Sequence, residues 1–138
     1  MKKIFLIASI LCYFSNVYSQ ELNEVKMLGI DKELGIKILS VNTSYSLFKK
    51  DNNSITYKSK LNTGLDKFSV FSFNKYDKCE RIDNILPNIY KPKFIDAMNQ
   101  NLSFKKVDQS TWICEAENLQ VTIVDDKDVL DICYVELN

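Results

Sequence analysis

The sequence predicts an α+β domain: an antiparallel sheet of about six to seven strands in hairpins and a meander, with one or two short helices packed on one face. Three observations carry this reading. Residues 39–61 and 111–137 alternate polar and apolar side chains with the period of two that a half-buried strand imposes. Short polar segments rich in Asn, Asp and Lys interrupt those runs where turns are needed. Residues 92–101, opened by Pro92, repeat apolar groups every four positions, as a helix with one buried side does.

The chain begins with an address. In residues 1–19, MKKIFLIASILCYFSNVYS, Lys2 and Lys3 precede an apolar run over 4–14, and Ser19 supplies the small residue of a cut site. This is the form of a secretory signal peptide, and the run is too short to span a bilayer. Cys12 follows Leu11 and sits too early to accept a lipid. Cleavage between Ser19 and Gln20 is expected, leaving 20–138 as a single α+β domain, exported to the periplasm or the medium, with no transmembrane segment. Removing Lys2 and Lys3 from 18 basic residues leaves 16 against 18 acidic ones, a net charge of −2. Lys far outnumbers Arg, and Asn and Ile are abundant, the codon bias of an AT-rich bacterial genome. In that setting the sequons at Asn42, Asn52 and Asn101 are not glycan sites.

The elements follow in order. Residues 22–28 place Leu22, Val25 and Leu28 on one side of a two-turn helix that Gly29 can end. From residue 39 the period becomes two: Leu39, Val41, Thr43, Tyr45 and Leu47 share a face, and so do Ile55, Tyr57, Ser59 and Leu61. A hairpin closed over 49–53 pairs Leu47 with Ile55, Tyr45 with Tyr57 and Val41 with Leu61. A second hairpin, 68–73 with 79–86, carries Phe71, Phe73 and Ile82 on one face and Phe68, Val70 and Ile85 on the other, the pattern of strands covered on both sides. The helix at 92–101 aligns Phe94, Met98 and Leu102, with Ile95 beside them.

The last third is a meander of 111–116, 119–124 and 129–137, with two-residue turns at Glu117-Asn118 and Asp126-Lys127. One face reads Trp112, Cys114, Ala116, Leu119, Val121, Ile123, Leu130, Ile132 and Tyr134. A one-residue slip would mix the faces, so burial sets the register. The 92–101 helix is the natural cover for that face. The segments 68–86 and 119–137 are both hairpins, a hint of a duplicated unit that their face patterns do not strengthen. In architecture, a helix followed by an antiparallel meander resembles the small exported units of envelope-assembly lipoproteins and secreted enzyme inhibitors, although no diagnostic motif ties the chain to either.

The composition excludes much chemistry. The chain has no His, which removes Ser-His-Asp and Cys-His catalysis and His-containing zinc sites. Three cysteines follow the signal: Cys79, Cys114 and Cys133. Cys114 and Cys133 lie on outer strands of one meander, about 9.6 Å apart and beyond the span of a disulfide. Cys79–Cys133 is therefore the candidate pair, with Cys114 a buried small hydrophobe. The acidic knot Asp125, Asp126, Asp128 and Asp131 lacks the Gly and the spacing of a calcium loop and reads as a solvated turn. Glu115 and Asp131 share an expected face, without a cleft that would make them a hydrolytic pair. Lys pairs interleaved with Tyr57 and Tyr90 read as edge protection rather than a nucleic-acid surface.

No catalytic, cofactor or metal residue is assigned. The expected function is a non-enzymatic binding or inhibitory module of the bacterial envelope or secreted fraction, acting on a protein or a wall component and not on nucleic acid. The alternatives are a small-molecule carrier with a pocket lined by the aromatic strands at 39–61 and 68–73, and a hydrolase using carboxylates or Cys114.

Overall fold

The computed structural model describes residues 24–137; the expected cut between Ser19 and Gln20 lies outside them. A 3-10 turn at Glu24–Met27 leads into helix α1 (Lys32–Val41) and then strands β1 (Ser46–Lys50), β2 (Ser54–Lys60), β3 (Asp66–Phe73) and β4 (Cys79–Pro87). A second 3-10 turn, Asn88–Tyr90, leads into α2 (Lys91–Gln100), β5 (Lys105–Lys106), β6 (Thr111–Cys114), β7 (Leu119–Val124) and β8 (Val129–Glu136). The strands form one antiparallel sheet in the order β1-β2-β3-β4-β8-β7-β6-β5. The fold is α+β, with eight strands rather than six or seven.

That order is one plan used twice. Each half is a 3-10 turn, a ten-residue helix and a four-stranded meander. The last strands, β4 and β8, pair antiparallel at the centre, with Ile82 opposite Tyr134 and Asn84 opposite Ile132. The helices align at a constant offset of 59 residues, from Lys32 and Lys91 through Ser46 and Lys105. Asn42 and Asn101 then do the same work. Their N–H groups close the helices onto the carbonyls of Leu39 and Met98, both at 3.3 Å. Their side-chain oxygens accept from the N–H of Ser44 at 3.0 Å and of Ser103 at 2.8 Å. Two of the three sequons are therefore turn-forming Asn residues whose side chains mimic a backbone bond.

Both helices lie on the same face of the sheet and share one core. The row Ile55–Phe71–Ile82–Tyr134–Val121–Trp112 crosses six strands and is buried throughout. Helix α2 lays Phe94 edge-on against Trp112, with centroids 6.3 Å apart, and Asn99 accepts from the Trp112 indole N–H at 3.1 Å. Helix α1 buries Leu39 and Gly35. A Cβ at Gly35 would lie 3.0 Å from the methyl of Met27, so the glycine marks a close approach. Gly29, at φ +76, turns the chain between the first 3-10 turn and α1, and its N–H reaches the Cys79 carbonyl at 2.7 Å.

Several expectations are corrected. Residues 32–41 are helical, so the two-residue alternation from Leu39 belongs to a strand only from Ser46. β1 meets β2 with Leu47 opposite Tyr57, and a bulge at Phe48 moves Lys50 opposite Ile55. The expected short helix at 22–28 is a 3-10 turn in its described part. Leu102 lies past the end of α2 and is 98% exposed.

In the last meander the faces are as expected and the register is two residues off on both sides. Val121 lies between Trp112 and Tyr134 rather than between Cys114 and Ile132. The cause is turn length. Glu115–Glu117 coil into a 3-10 turn closed by Asn118 at φ 53, and 125–128 all lie in the next loop. Ala116, expected in the core, is exposed in the first of these turns.

Candidate binding surface

Strand alternation sends every second side chain to the face opposite the helices. No described helix packs there. Two rows define it: Ser46–Lys58–Phe68–Ile85–Asp131–Val124, and Thr56–Val70–Asp83–Cys133–Thr122–Thr111. Most of these side chains are half-buried by their neighbours in the sheet. The apolar set Phe68, Val70 and Ile85, expected to face a second cover, faces outward.

One end of the face is aromatic and basic. Phe48, the extra residue of the β1 bulge, is 60% exposed and sets its ring edge-on to Phe68 at 5.0 Å. Lys58 holds its ammonium 5.7 Å from the Phe68 centroid and 2.9 Å from Asp66, which also meets Lys60. The Lys60 and Lys58 ammonium groups hold the Asp66 carboxyl below its ordinary value.

The centre, on β4 and β8, is a charged cluster. The Arg81 guanidinium donates to both Asp83 oxygens, Nε to Oδ2 at 2.8 Å and Nη2 to Oδ1 at 2.7 Å, a two-pronged pair on adjacent same-face positions of one strand. The hydrogen bonds to Asp83 raise the Arg81 pKa. Asp131 has no such partner: its Oδ1 is buried without a hydrogen bond among the described residues. Burial, and then the Asp83 carboxylate, push the Asp131 carboxyl up to about 6. Cys133 lies opposite Asp83, and burial pushes its thiol up to about 11.

The other sequence-derived candidates fall as follows. Cys79, Cys114 and Cys133 are buried free thiols. Cys79 faces the core, and Cys133 the open face four positions further along the β4 ladder, about 13 Å away, so the structure does not bring this pair together. Burial pushes the Cys79 thiol up to about 12. Glu115 is exposed in a turn and does not share a site with Asp131. Asp126 accepts from the Asp128 N–H at 2.9 Å, a local turn bond. Among the described residues no group of three or more Cys, Asp and Glu side chains is placed to hold a metal ion. Tyr57 is in the core, and Tyr90 bonds Thr63 at 2.8 Å.

Sequence reasoning missed Phe48, because a bulge has no local signature in a run of polar and apolar residues. It also missed the Arg81–Asp83 pair, which was legible as opposite charges two apart in a strand. Comparison with protein-family models, with curated proteins and with solved structures found no match to this chain.

Proposed function

We propose that this protein is an exported, non-enzymatic binding or inhibitory module that engages a protein or an envelope component through the open face of its sheet. The observation that carries the reading is that face itself: an aromatic pair, Phe48 on Phe68, beside half-buried Val70 and Ile85 and a charged centre, with no described helix over it. Solvated sheet faces ordinarily present short polar groups, and aromatic and aliphatic side chains grouped on such a face beside charge mark a contact site. The signal-like residues 1–19 support export. No described helix is long and apolar enough to cross a membrane.

Tyr45, Tyr57, Phe71 and Phe73, inward-facing aromatics that a carrier would use for a pocket, are spent on the core. Tyr45 lies edge-on to Tyr57 at 6.4 Å, and Tyr57 edge-on to Phe71 at 6.2 Å. That packing favours the surface over an internal cavity as the place of binding.

Site-specific photocrosslinking in the producing cells tests the proposal. A crosslinker at Thr56 or Gln120, on the open face, should give discrete adducts. The same group at Lys37 or Asp96, on the outer sides of the helices, should give none. Adducts from the helix side alone would overturn the reading.

A further inference from the structure

We propose that the open face self-associates: a second copy of this chain covers it, face to face, and the binding partner competes with that copy. The inference rests on the reading of the open face as the binding surface and names what occupies it in the isolated protein.

The order of one row carries this. Across β2, β3, β4 and β8 it reads Lys58, Phe68, Ile85, Asp131: a cation, two apolar groups and an anion. A twofold axis parallel to the strands, between β3 and β4, turns this row onto itself reversed. Lys58 of each copy then meets Asp131 of the other, and Phe68 meets Ile85. A row that is complementary to itself under a twofold is what an isologous dimer uses.

One further observation agrees. Among the described residues Asp131, half-buried on this face, makes no ion pair, while Asp83 is held by Arg81 and Asp66 by Lys58 and Lys60. Lys58 of a second copy would supply one. The same axis lays β1 and β2 of one copy over β7 and β8 of the other. Six overlapping strands give a footprint of about 29 by 20 Å, at the small end for a specific interface, which suits a dimer that a partner can displace.

Sedimentation of the secreted protein over a wide concentration range tests this. The wild type should show a reversible monomer–dimer equilibrium. Lys58→Asp and Asp131→Lys should each weaken it by about tenfold or more, and combining them should restore it to within about threefold of wild type. Thermal melts of each variant establish that it is folded; Phe68→Glu, which needs no charge exchange, should also give monomer. A wild type that is monomeric throughout, or a dimer indifferent to both single reversals, or a double variant that fails to recover, overturns the inference. If the protein is monomeric and the Thr56 crosslinker still captures a partner, self-association alone is wrong. If neither is seen, the binding surface itself is wrong.

Discussion

The inward positions of β3 hold Lys67, Ser69 and Phe71; the matching positions of β7, reached by carrying the helix alignment through the strand registers, hold Leu119, Val121 and Ile123. Ser59 of β2 likewise matches Cys114 of β6, and Tyr45 after α1 matches Phe104 after α2. One plan thus admits a buried polar cluster to the core of the first half and places apolar side chains at the matching positions of the second.

The polar groups are not stranded. Lys67 Nζ reaches both Glu24 oxygens at 2.8 Å, Ser69 donates to Glu24 at 2.9 Å, and the Tyr45 hydroxyl donates to the same carboxylate. Burial alone would raise the Glu24 carboxyl. The Lys67 charge and the hydrogen bonds from Lys67, Tyr45 and Ser69 together outweigh it and hold the group below its ordinary value. Burial and the Glu24 charge raise the Tyr45 phenol, which keeps it a donor. The comparison teaches that this fold accepts hydrocarbon or charge under its helices, provided the charge is fully paired. The pair also ties the first 3-10 turn to the sheet.

The largest effect belongs to the apolar half. Val121→Asp puts an unpaired carboxylate between Trp112 and Tyr134 and should abolish cooperative unfolding. Thr122→Asp, one residue along on the open face, should cost about 1 kcal/mol or less in a denaturant melt. Equal losses would mean that both faces are covered.

Next come the charged residues of the other half. Glu24→Ala removes the carboxylate that holds the buried Lys67 ammonium and should cost about 3–5 kcal/mol. Adding Lys67→Leu, the residue of the matching position, should recover most of that loss, because the half then has its sister's chemistry. The pH dependence follows from the lowered Glu24 pKa. Its contribution is complete above the unfolded value near 4.5 and disappears as pH falls through the folded one. The double variant should lack this part of the acid sensitivity in melts below that pH.

Smaller and equal effects are expected at the two turns. Asn42→Ala and Asn101→Ala should each cost about 1 kcal/mol, since each removes one side-chain bond of the same geometry. A clear inequality in paired melts would show that the repeats bear load differently.

The smallest effect is at Asp131. Its folded pKa of about 6 lies above that of a free carboxyl, so its contribution is full below about pH 4 and lost as pH rises through 6. Asp131→Asn should flatten that decline and raise the melting midpoint slightly at neutral pH.

Legibility in the sequence followed one-sided burial. The last meander alternates strictly and is buried on one face, so its faces were readable, while turns longer by two displaced the neighbours of Val121. Helix α1 was masked by Gly35, a residue that ordinarily argues against a helix and is there to admit Met27. The alternation of Leu39, Val41, Thr43 and Tyr45 pointed to a strand, and only the Asn42 turn breaks it. The Glu24–Lys67 pair had a signal: Lys67 shares its strand parity with Phe71 and Phe73. Charge ordinarily argues for solvent, and nothing local names a partner 43 residues away. The open face was legible as the side opposite the buried rows, but not its aromatic corner, which depends on the bulge at Phe48.

The most direct test of the account is Phe68→Glu, with fold and partner capture measured on the same preparation. Phe68 is half-buried on the open face, so the variant should retain a cooperative melt with a loss of about 1–2 kcal/mol and should no longer yield the Thr56 crosslinked adduct. A folded Phe68→Glu protein that captures its partner as well as the wild type would contradict it.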